Sequence, residues 1–292
     1  MKKIAIIGSS GQLGTDLSRE LGQRDAYELH TLDHSDIECA DRRSIESAIL
    51  SIAPDIVLNC AAFVRVNESE DDPDSAFRVN ALGAGYVARA CSEIGAITVY
   101  ISTDYVFDGA SSTPYSEEDP PNPLNVYAIS KLAGEFLVRN FCKNHFIVRS
   151  SGLYGTGGTG GNQKRPANFV ETILSLAKNE DPIRVVDDQI LTPTFTKDLA
   201  RAILELVDTD AYGTYHITNS GACSWYEFGK AVFEISGLKP DYGPVSSKEY
   251  GAKALRPSYS VLDNGRVQRL GIAPLRGWRD ALTRYLELRS RA

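Results

Sequence analysis

The sequence predicts an α/β protein: a Rossmann-type doubly wound parallel sheet with a smaller mixed α/β lobe. Three observations lead there. Short β-branched runs alternate with longer helical patterns. Most of those runs are apolar throughout, as strands covered on both faces must be. A glycine-spaced turn, Gly8-Ser9-Ser10-Gly11-Gln12-Leu13-Gly14, joins the first apolar run to the first helical one.

Taken in order, strands fall at Lys3–Gly8, Tyr27–Leu32, Ile56–Asn59, Thr98–Ser102 and Phe146–Arg149. Helices start near Gln12, at Arg42 with Asp41 as N-cap, at Pro73 and near Asn125. Pro73 suits a first helical turn and follows the acidic Glu70-Asp71-Asp72. After Arg149 the texture changes, and Gly155–Gly161 reads as a flexible loop or lid. A helix follows around Phe169–Lys178. Ser224 and Glu227 form a capping box for a helix reaching Ile235, and Gly277–Arg289 is a last helix. Residues 1–150 are therefore assigned to a dinucleotide-binding domain. Residues 151–292 form mainly a substrate lobe with few strands of its own, and a return to the first domain is expected near 183–217.

The 292 residues are 42% hydrophobic and 24% charged, enough for a sizeable core. No apolar run approaches the ~18 residues of a membrane span. The Met1–Gly8 start is too short and glycine-ended for a secretory signal. A net charge of −7 opposes a nucleic-acid surface. The five cysteines are odd in number and scattered, which suits reduced thiols in the cytoplasm. The four histidines form no cluster, so no metal site is expected, although surface carboxylates could hold magnesium between subunits. A homodimer is compatible with the sequence.

Glycines in the first turn let the backbone approach a pyrophosphate, and the helix N-terminus supplies amides and partial positive charge. Gly8, Ser10, Gly11, Gln12, Leu13 and Gly14 are therefore candidate cofactor ligands. Asp33, about 20 residues beyond the turn, is placed to bind the adenosine ribose hydroxyls. Its charge opposes a 2′-phosphate and no arginine adjoins it, so NADH is at least as acceptable as NADPH. A turn or capping aspartate is the plainer alternative.

Tyr127 and Lys131 share one helical face, four residues apart. A neighbouring ammonium favours phenolate, and such a tyrosine can protonate a carbonyl oxygen as hydride reaches the carbon. The same spacing recurs at Tyr226 and Lys230, where position in the second lobe argues for packing. Thr103 ends a buried strand at the carboxyl edge, where ligands of open sheets bind, and could hydrogen-bond the same substrate oxygen. Small Ala61 and Ala62 end a neighbouring strand. Asn80, polar among apolar residues, either bends its helix, positions the lysine through a water, or faces solvent.

These residues resemble the extended short-chain dehydrogenase/reductase superfamily. The blocks Ser102–Gly109, Pro123–Tyr127, Lys131–Glu135, Asp188-Gln189, Pro193-Thr194 and Arg256–Asp263 are similar to those of the dTDP-4-dehydrorhamnose reductase family. The resemblance implies NADH- or NADPH-dependent reduction of a 4-keto group, converting dTDP-4-dehydro-L-rhamnose to dTDP-L-rhamnose. It implies Gly11, Gln12 and Leu13 at the diphosphate, Glu38 and Cys39 near the adenosine, and Ala61, Ala62, Phe63 and Ser102 along the cofactor. It further implies Tyr127 as proton donor with Lys131 and Thr103 beside it, and Thr103, Asp104, Tyr105, Gly152, Gln189 and Arg256 at the dTDP-sugar. Where the family often carries a tryptophan that packs on the sugar, this chain has Gly152. The hexose site is thus more open or is closed by another residue. Two alternatives stay open: a nucleotide-sugar epimerase or dehydratase, disfavoured by Tyr105 after Asp104, and a non-catalytic subunit like the methionine adenosyltransferase beta subunit.

Overall fold

The computed structural model describes residues 1–158, 168–179 and 181–291. Five strands, β1 (Lys2–Ile7), β2 (Tyr27–Leu32), β3 (Ile56–Asn59), β4 (Ile97–Thr103) and β5 (His145–Ser150), join Gly213–His216 in one parallel sheet. Its order is β2-β1-β3-β4-β5 followed by Gly213–His216. The direction of winding reverses between β1 and β3, so the carboxyl ends of those strands open a crevice.

Side chains alternate across the sheet and feed two separate cores. Ile4, Ile6, Ile56, Leu58, Val99, Phe146 and Val148 pack with Leu13 and Leu17 of helix α1 (Gln12–Leu21) and with Leu199 and Ile203. Ala5, Ile7, Val57, Tyr100 and Ile147 pack on the opposite face with Ile45 and Ile49 of helix α2 (Arg42–Ile52), Val87, Ala88 and Val138. Burial on both faces explains why these runs lack polar alternation. The edge strand β2 is the exception, with only Leu32 buried.

The helix starts at Pro73, as the sequence predicts, but after Phe77 it passes through a π-helical turn, Arg78–Gly83, before continuing as Ala84–Ile94. Asn80 sits in that turn and is entirely buried, which excludes the solvent-facing reading.

In the second half of the chain the helix Thr196–Leu206 packs against α1, and the strand Gly213–His216 pairs with β5. The second half is also richer in strands than expected. Three two-stranded ribbons, Leu153–Tyr154 with Thr194–Phe195, Ile183–Val186 with Tyr242–Val245, and Ile190–Leu191 with Cys223–Ser224, frame it. Strands of two to four residues are too short for a period-2 pattern to register. A third core fills this region, with Tyr154 against Phe195, Phe228 and Tyr285 at 5.3–5.7 Å between ring centres. The glycine-rich stretch is described only as far as Gly158, so residues 159–161 lie outside the described residues.

Gly14 shows how tightly the first turn is wound. A Cβ there would lie 2.2 Å from the Gly8 carbonyl oxygen and 2.8 Å from Ser9 Cα, so α1 starts directly on the loop. Gly14→Ala is expected to cost about 1–3 kcal/mol in urea unfolding, as overpacking against backbone does. A loss below about 0.5 kcal/mol would show that the loop relaxes freely.

Candidate active site

The glycine turn is built for close approach. Gly8 has φ +78°, a conformation that disfavours any side chain, and a Cβ on it would meet the backbone of Ala61 at 3.0 Å. Gly11 is extended and supplies no side chain over the start of α1, whose first-turn amides have no intrahelical partners. The second half covers the turn: Gly158 N donates to Ser10 O, and Asn168 Nδ2 donates to Gln12 Oε1 at 3.0 Å. A dinucleotide's diphosphate fits this cradle of bare backbone and helix N-terminus.

Asp33 directly follows β2, and its carboxylate accepts from the backbone and hydroxyl of Ser35, at 2.8 Å each. Those bonds hold its carboxyl below the usual range. The residue is thus both the turn aspartate and an acid at the cleft rim. Glu38 folds back on Ala40 N, and burial pushes the Cys39 thiol up to about 11.

At the carboxyl edge, β4 delivers Thr103 and Asp104, and the helix Val126–Phe141, capped by Asn125, delivers Tyr127 and Lys131. The Thr103 hydroxyl faces the Tyr127 phenol, and the Tyr105 ring stands edge-on to it at 6.3 Å. Burial raises the Tyr127 pKa above that of a free phenol; the Thr103 hydroxyl opposes this, and Asp104 and Tyr105 reinforce it. The expected lowering by the Lys131 ammonium is not found: burial dominates, and Lys131 is not among the groups that shift Tyr127.

Lys131 is buried, with its Nζ 4.1 Å from the centre of the Tyr100 ring. Burial brings its pKa down to about 7, against the pull of Glu135 one turn on. Asn80 organises the floor beneath it. Its Oδ1 accepts from Phe63 N, its Nδ2 donates to Phe63 O and Ser130 Oγ, and its own carbonyl accepts from the Tyr100 hydroxyl at 2.7 Å. A Cβ on Gly134 would lie 2.3 Å from that carbonyl, so the catalytic-face helix can approach only through glycine. Asn80 thus sits in the π-turn and fixes Phe63, and it reaches Lys131 through Tyr100.

Asp104 collects three hydroxyls, from Ser260 at 2.5 Å, Ser151 at 2.8 Å and Thr103 at 3.2 Å. Burial nevertheless pushes its pKa up to about 6. Arg256 donates to Asn67 Oδ1 and Ala254 O and lies near Tyr105, whose pKa its charge lowers, placing a guanidinium at the same mouth.

Three of the sequence candidates have other partners. The Ser102 hydroxyl donates to Glu135 at 2.5 Å, within a buried ion pair where Arg149 grips Glu135 with two bonds of 2.7 and 2.9 Å. Gln189 donates to Ser247. Gly152 has φ +52°, and a Cβ there would lie 2.8 Å from Leu191 Cδ1 and 3.7 Å from the Trp225 ring, so the site is not simply open. The Glu135–Arg149 pair and the Asn168–Gln12 contact escaped the sequence reading. The only trace of the first was Glu135 four residues after Lys131. The second Tyr/Lys pair is packing, since Tyr226 stacks on Tyr242 with ring planes 6° apart.

A sheet with its switch point at a glycine turn, and a tyrosine, buried lysine and threonine at its carboxyl edge, defines a short-chain dehydrogenase/reductase-type enzyme. The chain matches the family described as "RmlD substrate binding domain" over residues 1–290. It is 45% identical to the spore coat polysaccharide biosynthesis protein SpsK of Bacillus subtilis, covering 100% of this chain and 99% of that protein. It is 38% identical to the dTDP-4-dehydrorhamnose reductase of Streptomyces griseus, over 95% and 91% of the two chains. A crystal structure of dTDP-4-dehydrorhamnose reductase from Bacillus anthracis in complex with NADP superposes with a TM-score of 0.92 at 38% identity, covering 98% and 99%. The chain belongs to the dTDP-4-dehydrorhamnose reductase family.

Two measurements probe the buried charges. Glu135→Ala strands the Arg149 guanidinium and is expected to cost about 3–5 kcal/mol, whereas the double variant Glu135→Leu/Arg149→Leu recovers most of that loss. Equal instability of the single and double variants would contradict a charge-pairing role. Lys131 has a folded pKa near 7, below its unfolded value, so the unfolded chain binds its proton more tightly. Relative to Lys131→Met, wild-type stability without cofactor should fall as pH drops from about 10 to 7 and then stay level. A difference independent of pH would mean that the ammonium is solvated.

Proposed function

We propose that the protein reduces the 4-keto group of dTDP-4-dehydro-L-rhamnose with NADPH or NADH, giving dTDP-L-rhamnose. The observation that carries this reading is the convergence of Tyr127, Thr103 and buried Lys131 beside the glycine turn. Full-length similarity to named reductases supports the substrate. NADP in the Bacillus anthracis relative supports NADPH, and Asp33 favours NADH.

The dihydronicotinamide supplies the hydride. Residues of this chain do the rest. Gly8, Ser10, Gly11, Gln12, Leu13 and Gly14 receive the diphosphate, Asp33, Glu38 and Cys39 the adenosine, and Ala61, Ala62 and Phe63 the remainder of the cofactor. Because burial raises its pKa, Tyr127 stays protonated at neutral pH and can hand its proton to the carbonyl oxygen as the negative charge develops. Thr103, whose hydroxyl donates to Asp104 in the free protein, lies beside the phenol and can turn that one proton to the carbonyl oxygen when the sugar binds. Lys131 binds the nicotinamide ribose and stabilises the phenolate left behind. Asp104 holds Thr103 in place through its carboxylate, while Tyr105 and Arg256 flank the dTDP-sugar. With its carboxylate engaged by three hydroxyls and Tyr105 next in sequence, Asp104 is poorly placed for elimination chemistry.

We assign residues 1–150, with Thr196–Leu206 and Gly213–His216, to the cofactor and the remaining lobe to the sugar nucleotide. We place the enzyme in the cytoplasm, acting on a free nucleotide sugar and with no nucleic-acid partner, which the net charge of −7 opposes. Among the described residues no helix is long and apolar enough to cross a membrane.

Purified protein should oxidise NADPH or NADH in the presence of dTDP-4-dehydro-L-rhamnose. Tyr127→Phe should lower kcat by about 10²–10⁴-fold while leaving cofactor affinity intact. Tyr226→Phe should leave kcat nearly unchanged. Near-normal turnover by Tyr127→Phe, or collapse in Tyr226→Phe, would reassign the acid.

A further inference from the structure

The space over Gly152 is bounded by a residue from outside the nucleotide sheet. Thr103 and Ser150 are register partners at the ends of β4 and β5, and Ser151 bonds Asp104, so Gly152 stands one residue beyond the reacting edge. The left-handed backbone at 152, with Leu191 Cδ1 2.8 Å and Pro193 Cα 3.2 Å from a Cβ position, leaves no room for a side chain of its own. Facing that position is the outer end of the Trp225 indole, at 3.7 Å.

Trp225 is held there from several directions. It is the first residue of the helix Trp225–Ser236, whose N-cap Ser224 and Glu227 form a reciprocal capping box. Ser224 pairs with Ile190, Ile190 bridges Tyr259, and the adjacent Ser260 hydroxyl bonds Asp104. This ribbon ties the indole to the same carboxylate that holds Thr103. Phe169 backs the ring at 4.7 Å and Phe228 at 6.3 Å, yet the side chain remains only half-buried. An indole backed in this way and only partly buried offers a flat apolar plane at little entropic cost. A 6-deoxyhexose carries a matching surface, the C–H groups of one ring face and a methyl in place of a hydroxyl.

We propose that Trp225 is a specificity-determining residue whose indole receives the apolar face of the deoxyhexose, with position 152 contributing none of that contact. This rests on the reductase reading above. Trp225→Leu should raise KM for dTDP-4-dehydro-L-rhamnose about tenfold, leave KM for NADPH and kcat within about threefold, and Trp225→Phe should restore most of the loss. The sequence has two tryptophans, 225 and 278, so fluorotryptophan-labelled protein gives two fluorine NMR signals, assigned with Trp278→Phe. With NADP⁺ present, the Trp225 signal should shift on saturation with dTDP-L-rhamnose but not with dTDP alone, and the Trp278 signal should stay. This readout needs no substitution at 225 and stands if Trp225→Leu does not fold. The proposal is overturned by an unmoved Trp225 signal at saturating dTDP-L-rhamnose, or by an unchanged KM in folded Trp225→Leu. Those failures leave wild-type turnover intact. Absence of wild-type turnover would instead remove the reductase reading and this proposal with it.

Discussion

The site depends on keeping one ammonium, that of Lys131, inside the protein. Desolvation works against it strongly enough to bring its pKa to about 7. Holding a cation there demands compensation from every side. Tyr100 offers its ring face, Glu135 its charge, and Arg149 binds Glu135 so that the carboxylate is itself satisfied. The helix carrying Tyr127 and Lys131 approaches β4 only because Gly134 lets it rest on the Asn80 carbonyl, which the π-turn exposes.

The same economy joins the two halves of the molecule. Asp104 receives hydroxyls from β5's continuation and from the C-terminal segment, so one carboxylate couples the reacting edge to residues 151 and 260. Asn168 closes on Gln12, and Thr196 donates to buried Asp16 of α1 at 2.5 Å. These contacts fasten the second half of the chain directly to the glycine turn and its helix.

Much of this was legible in the sequence. Strands buried on both faces show as unbroken apolar runs, and a glycine turn after the first of them has few other uses. Tyr127, Lys131 and Thr103 could be selected because the parallel topology brings them to one edge. What stayed hidden depends on contacts between residues far apart in the chain. The π-turn has no pattern of its own, and Asn80 was visible only as a polar residue out of place. Glu135 and Arg149 look like surface charges until the fold pairs them. At Gly152 the sequence left open whether another residue closes the site, because nothing in it places Trp225, more than 70 positions later, against that position.

The central claim is that the phenol, the hydroxyl and the ammonium converge where a nicotinamide carbon meets a sugar carbonyl. Isotope transfer tests it most directly. With NADPH deuterated at the transferable C4 position, the account predicts a single deuterium at C4 of the rhamnosyl ring of the product. A product without deuterium, or with the label at another sugar carbon, would contradict it.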